Sequence, residues 1–211
     1  MDYFKNLSEL ETTLVAVSKT KPNAAITGLY DRGQRIFGEN RVAELVAKHA
    51  VLPKDIEWHF IGHLQSKKTK EIAPFVKMIE SVDSFKLLKV ISNEALKNKR
   101  KIEVLLQLKI AEEESKYGFD FDDLIDNLDI SQYPNVTFRG VMGMATFTDN
   151  KAKVRDEFKN LALYNDEIKA SHFQDNKGFT EISMGMSGDY PIAIEEGSTM
   201  IRIGSLLFGE R

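Results

Sequence analysis

The 211-residue chain contains no cysteine. That absence excludes disulfides, thiolate metal sites and cysteine nucleophiles. It also lacks a strong charge of either sign. With 29 Lys and Arg against 32 Asp and Glu, the formal net charge is -3, which gives no reason to expect nucleic acid as a partner. No window holds the roughly 18 consecutive apolar residues that a membrane helix needs. Residues 1–14 are charged and periodic, unlike a signal peptide. The expectation is a cytoplasmic protein with no membrane partner. Low-complexity segments and linkers are lacking too, and the length suits one domain over residues 1–211, large enough for a substantial core. Hydrophobic content of 42% and charged content of 29% are ordinary for a globular chain.

What is present is organised around Thr13-Leu14-Val15-Ala16-Val17-Ser18-Lys19-Thr20-Lys21-Pro22. The apolar, β-branched opening reads as a buried strand, and Pro22 can start the next helix. Side chains alternate along a strand, so Val15, Val17 and Lys19 share one face, apolar until its last member. An amine at the end of a dry strand is open to desolvation, which disfavours the ammonium form. A neutral lysine is what Schiff-base chemistry with an aldehyde requires. On this strand alone, a lysine that emerges into solvent is the plainer reading.

The remaining pattern alternates strands and helices. A helix is expected over 3–12, where Tyr3, Phe4, Leu7 and Leu10 recur at helical spacing. Strands are expected at 13–19, 35–40, 57–62, 78–83, 102–110, 136–144, 180–186 and 200–205. Helices are expected between them at 22–32, 41–49, 65–73, 84–97, 121–128, 150–171 and 190–196, with a polar loop over 111–118. Strict alternation implies a parallel sheet, and eight such units imply a closed (β/α)8 TIM barrel. An open doubly wound sheet is the alternative. In a barrel, reactive groups belong at the C-terminal strand ends, where Lys19, Asn40, His59, Met144, Ser183 and Arg202 fall or nearly fall.

Two further clusters carry possible chemistry. Ser183-Met184-Gly185-Met186-Ser187-Gly188-Asp189 runs from a strand into a helix, where small residues would let backbone N–H groups face an anion. Arg202-Ile203-Gly204-Ser205 ends the eighth strand, with a glycine for close approach and a serine hydroxyl. A tight turn with no ligand is the competing reading of each. Barrels often bind phosphate at the seventh and eighth loops. With a strand-end lysine, these clusters suggest a phosphorylated aldehyde, pyridoxal phosphate being the obvious candidate.

The chain resembles the pyridoxal-phosphate homeostasis protein family, single-domain relatives of the alanine racemase N-terminal-domain barrel (fold type III). The resemblance rests on Val15-Ala16-Val17-Ser18-Lys19-Thr20-Lys21-Pro22, Phe37-Gly38-Glu39-Asn40, Trp58-His59-Phe60-Ile61-Gly62, Leu64-Gln65, Arg139-Gly140-Val141-Met142, Ser183-Met184-Gly185-Met186-Ser187 and the segment from Gly197 to Gly204. It implies that Lys19, not Lys21, forms the imine with pyridoxal phosphate. It further implies that Arg202 approaches the pyridine nitrogen and that Ser187, Gly204 and Ser205 hold the phosphate. Asn40 and Met144 would line the pocket, and His59 would sit near the ring side, although a strand histidine is as often a satisfied core residue. Ser183 joins this set as a cofactor contact. Two positions depart from the family pattern: Lys67 stands where an asparagine is usual, and Arg41 where a tyrosine is common. The segment before the first strand is short for the family, which implies a trimmed first helix.

An arginine at the pyridine nitrogen stays a donor and cannot accept the proton, so the ring is a weaker electron sink. That disfavours transamination but permits racemisation where two bases flank the ring. Alanine racemase-like enzymes take their second base from an additional β-domain, which is not expected after Arg211. The reading is a non-catalytic, monomeric carrier that binds, buffers and delivers pyridoxal phosphate to PLP-dependent apo-enzymes as part of vitamin B6 homeostasis. A PLP-dependent amino-acid racemase is the alternative. A cofactor-free Schiff-base aldolase is a third reading, weakened because it would need no anion clamp.

Overall fold

Residues 2–111 and 117–209 are described by the computed structural model, and residues 112–116 of the expected polar loop lie outside them. The described chain runs α1 (Tyr3–Ser8), β1 (Thr13–Val17), α2 (Asn23–Tyr30), β2 (Ile36–Glu39), α3 (Val42–Val51), β3 (Glu57–Phe60), α4 (Thr69–Ile72), β4 (Met78–Val82) and α5 (Phe85–Lys97). It continues with β5 (Ile102–Gln107), α6 (Phe121–Asn127), β6 (Val136–Met142), α7 (Lys151–His172), β7 (Glu181–Ser183), α8 (Tyr190–Glu195), β8 (Met200–Ile203) and α9 (Ser205–Phe208). The strands form a closed parallel barrel in sequence order, so the open doubly wound sheet does not occur. Closure is made by β1 against β8, with Val15 opposite Arg202 and Ala16 opposite Ile203. Among the described residues, no helix is long and apolar enough to cross a membrane.

The period-2 alternation of each strand sorts its side chains between two cores. Leu14 and Ala16 of β1, Trp58 and Phe60 of β3, and Ile201 and Ile203 of β8 pack outward in the large layer between sheet and helices. Val15, Met78, Leu105, Met142 and Met200 form a separate, smaller cluster. Val15 belongs to this smaller cluster while its chain neighbours Leu14 and Ala16 face the helices. That places Val15 and its alternating partners on the inner face of the barrel, the face that leads to Lys19.

Local signals set the helix starts. Ser84 accepts a bond from the Leu87 N–H at the start of α5, and Asn150 does the same for Lys153 at the start of α7. At the β5–β6 pairing the register shifts between Val104 and Leu105. Gly140 answers that shift with φ +152, and a Cβ there would fall on the Glu181 backbone of β7.

Several elements are shorter than expected. The first helix stops at Ser8 rather than residue 12, because Glu9 turns its N–H back onto Leu7 and Lys5, leaving 9–12 to reach β1. The helix expected from 65 begins as a 3-10 turn at Ser66–Lys68, since Gln65 is extended. β1 ends at Val17, although the Ser18 N–H still bonds the Gly38 carbonyl at 3.0 Å. β5 and β6 stop at Gln107 and Met142, and β7 at Ser183. β8 stops at Ile203, because Gly204 at φ -119 and ψ -72 leaves the strand and Ser205 opens α9.

Candidate functional site

A cavity of about 360 Å³ opens where strands β1, β2, β3 and β8 end. Its floor includes Val17, Asn40, Ile61 and Arg202. Lys19 lies on its wall, two residues past the end of β1 and half-buried. Alternation therefore carries the inward face from Val15 through Val17 to an amine at the cavity. Lys21 reaches the same cavity, but its Nζ donates to the Phe208 carbonyl at 3.2 Å and the Gly209 carbonyl at 2.9 Å. Those two bonds draw the Lys21 amine toward the C-terminal turn.

The loops after β7 and β8 meet at the far side. Ser187, Gly204 and Ser205 all line the cavity, and the Gly204 N–H donates to Ser187 Oγ at 3.3 Å. Ser205 and Leu206 stand in the first turn of α9, where backbone amides have no intrahelical acceptor. The β7–α8 turn is braced by Asp189, whose Oδ1 accepts from the Met186 N–H at 2.6 Å. Asn40 completes the wall, and its Oδ1 is buried with no hydrogen-bond partner. A buried acceptor left unpaired in a concave site is a place where a ligand donor or a water would be expected.

Below the guanidinium of Arg202 lies a buried polar chain. Arg202 Nη1 donates to Ser183 Oγ at 2.6 Å, and Nη2 to the Gly143 carbonyl at 2.9 Å. Ser183 Oγ in turn donates to Glu80 Oε2 at 2.6 Å, while His59 Nδ1 meets Glu80 Oε1 at 2.7 Å. The carboxylate accepts only, which places the His59 proton on Nδ1. Burial alone would push the Glu80 carboxyl up, yet His59, Arg202 and Ser183 together outweigh it and hold it below the usual glutamate value. Burial likewise pulls Arg202 down, opposed by the charges of Glu80 and Asp189.

His59 and Ser183 are not among the residues lining the cavity; both side chains bond Glu80 inside the barrel. Lys19, Asn40, Met144, Ser187, Arg202, Gly204 and Ser205 are brought together around one cavity.

The alanine racemase N-terminal domain model matches residues 1–211. The chain belongs to the alanine racemase N-terminal domain family. Within that family it is 38% identical over 200 residues to a protein of Aquifex aeolicus named pyridoxal phosphate homeostasis protein, covering 94% of this chain and 86% of that one. A human protein of the same name is 37% identical over 220 residues, covering 98% of this chain and 79% of that one. Among solved structures, PipY of Synechococcus elongatus superposes with a TM-score of 0.91 at 38% identity, covering 98% of this chain and 97% of that one. A second PipY structure, described as having PLP bound, superposes with a TM-score of 0.87. The alanine racemase of Bartonella henselae shares the fold, with a TM-score of 0.71 at 16% identity over 99% of this chain and 59% of that one.

Three features of this family barrel were not singled out from sequence. Glu80 lies beside Ser81 in a five-residue strand whose other members, Met78, Ile79 and Val82, are apolar, and an acid in that setting was the available signal. Glu157 of α7 accepts from the N–H and hydroxyl of Thr146, both at 2.6 Å, anchoring the loop that carries Met144 and Phe147 to the cavity. Lys48 of α3 bonds the Ser18 carbonyl, Glu39 and Glu44 behind the Lys19 turn. No periodicity distinguishes these buried charges from solvated helix faces.

Proposed function

We propose that this protein binds pyridoxal phosphate through an imine to Lys19, buffers it and delivers it to apo-enzymes, with no reaction of its own. It acts as a cytoplasmic monomer. The observation that carries this reading is the convergence of Lys19, Arg202 and the Ser187–Gly204–Ser205 turn on one cavity of a size suited to a small ligand. The donor set fits the group: an amine for the aldehyde, a guanidinium for the ring nitrogen, hydroxyls and first-turn amides for the phosphate, and a buried amide oxygen, Asn40 Oδ1, without a partner. The names of the relatives from Aquifex aeolicus and human, and the PLP-bound PipY structure, support the same reading.

When bound, pyridoxal phosphate supplies an electron sink for bonds at the carbon attached to its imine nitrogen. The chain's own residues weaken that sink. Arg202, held charged by Glu80, can donate to a ring nitrogen but cannot hand it a proton. Ser187, Gly204 and Ser205 fasten the far end of the ligand without a lysine in either turn.

The test has three arms. The purified protein should show a visible absorption band with pyridoxal phosphate that borohydride abolishes and that Lys19→Ala lacks. Incubation with D- and L-alanine should leave each enantiomer unchanged, whereas racemisation would establish the enzyme reading. Loaded protein mixed with an apo-transaminase should restore its activity, and failure to do so would defeat the carrier role.

A further inference from the structure

Thr20 adopts φ +64, one of two non-glycine residues with positive φ among those described. A β-branched residue in the left-handed region is strained, because its Cβ crowds the backbone. Such a conformation persists only where surrounding structure holds it, and such strain clusters at functional sites. Here the holding group is identifiable. The Thr20 N–H donates to Glu44 Oε1 at 2.5 Å. Glu44 Oε1 also receives Lys48 Nζ at 2.7 Å, and the same Nζ reaches Glu39 Oε1 at 2.6 Å and the Ser18 carbonyl at 2.7 Å. Ser18 Oγ donates to Glu39 Oε1 at 2.6 Å, closing the cluster.

Each bond of this cluster to the turn ends on a residue beside Lys19. The Ser18 carbonyl and hydroxyl are held on one side and the Thr20 amide on the other, while Lys19 itself points to the cavity. Glu39 and Lys48 are nearly without solvent access, at 0% and 6% side-chain exposure, so the pair keeps its electrostatic strength. A buried Glu39–Lys48 pair whose ammonium also serves the partly exposed Glu44 is costly as mere scaffolding, and an apolar substitute would often serve stability as well.

We infer that Glu39, Lys48 and Glu44 are positioning residues that clamp the backbone on both sides of Lys19 and so aim its amine for imine formation. The inference rests on the reading of Lys19 given above. The step it serves is balanced: Lys19 Nζ adds to the aldehyde carbon, the aldehyde oxygen leaves as water, and a carbon–nitrogen double bond remains. With the clamp released, Thr20 relaxes out of the left-handed region and the amine moves off the line of approach.

The experiment compares two ligands on the whole protein. Pyridoxal phosphate carries the aldehyde, and pyridoxine phosphate carries an alcohol in its place and cannot form the imine. Glu44→Ala should weaken pyridoxal phosphate binding by about tenfold, the loss expected of one charge-assisted hydrogen bond. It should leave pyridoxine phosphate binding within about twofold, below the scale of one such bond. Glu44→Gln, which keeps an acceptor for the Thr20 N–H, should recover most of the loss. Equal weakening of both ligands would mean that Glu44 serves only the fold, and no weakening of either would mean that it serves neither; each overturns the inference. If the wild-type protein forms no imine at all, the Lys19 reading itself fails, a separate outcome. Lys48→Met, which removes the ammonium at similar length, supplies a second variant with the same two-ligand criterion.

Discussion

Arg202 Nη1 donates to Ser183 Oγ at 2.6 Å, and through that hydroxyl the cavity wall is joined to the buried carboxylate of Glu80. The guanidinium thereby has its charge balanced inside the barrel instead of by ligand. Its orientation is set before anything binds, which lowers the ordering cost of binding.

The first prediction concerns acid stability. The Glu80 carboxyl lies below its usual value of 4.5. A carboxyl with a depressed folded-state pKa contributes stability that is present above the unfolded value and is lost as pH falls through the folded one. Glu80→Gln should therefore be less stable than wild type at pH 7, by about 3 kcal/mol, since it leaves Arg202 without its buried partner. The gap should narrow as pH drops below 4.5, read by urea midpoints across that range. A gap independent of pH would show that the Glu80 carboxyl titrates in the folded protein as it does in the unfolded chain, with no lowering.

Lys19 should carry the pyridoxyl group after borohydride reduction. Peptide mapping checks this directly. Label on Lys21, whose amine is engaged by the Phe208 and Gly209 carbonyls, or on Lys109, would refute the assignment.

Replacing Arg202 should change the absorption of the bound ligand. Arg202→Glu offers the ring nitrogen an anion and lets it protonate, whereas Arg202→Met offers nothing. The spectrum and pH titration of Arg202→Glu should differ from both the wild type and Arg202→Met. Arg202→Glu should also be the less stable variant, because it sets a second carboxylate beside Glu80. Identical spectra in all three proteins would remove Arg202 from the ring.

The phosphate should dominate affinity. Pyridoxal keeps the aldehyde and lacks the phosphate, so it loses several charge-assisted bonds, each worth on the order of 1.5–3 kcal/mol. It should bind at least about a hundredfold more weakly than pyridoxal phosphate. Ser187→Ala should narrow that difference by weakening only the phosphorylated ligand. Equal titration curves for the two ligands would contradict a phosphate site at the last two loops.

Gly62 supports the cavity from behind. A Cβ there would drive into the backbone of Asn40, whose side chain lines the wall. Gly62→Ala should lower the thermal midpoint, with a cost of about 1–3 kcal/mol typical of overpacking. It should also weaken pyridoxal phosphate binding. Unchanged stability would show that the β2–β3 strand ends tolerate separation.

The residue pattern determined a good deal by itself. Alternation along Val15, Val17 and Lys19 identified the inward face of β1, and the strand–helix repeat identified a closed parallel barrel over an open sheet. The strand-end positions of Arg202, Gly204 and Ser205 placed them near Lys19, since all parallel strands deliver their C-termini to one face. Tertiary structure alone decided what meets across the barrel. Ser183 and Glu80, 103 positions apart, meet only because the strands close into a ring, and their meeting draws His59 and Ser183 away from the cavity. Nothing local to α3 announced that Lys48 and Glu44 would brace the turn after β1. Periodicity reports which side of its own element a residue faces. The partner it finds there depends on how elements close against one another, and for buried charges that partner decides the role.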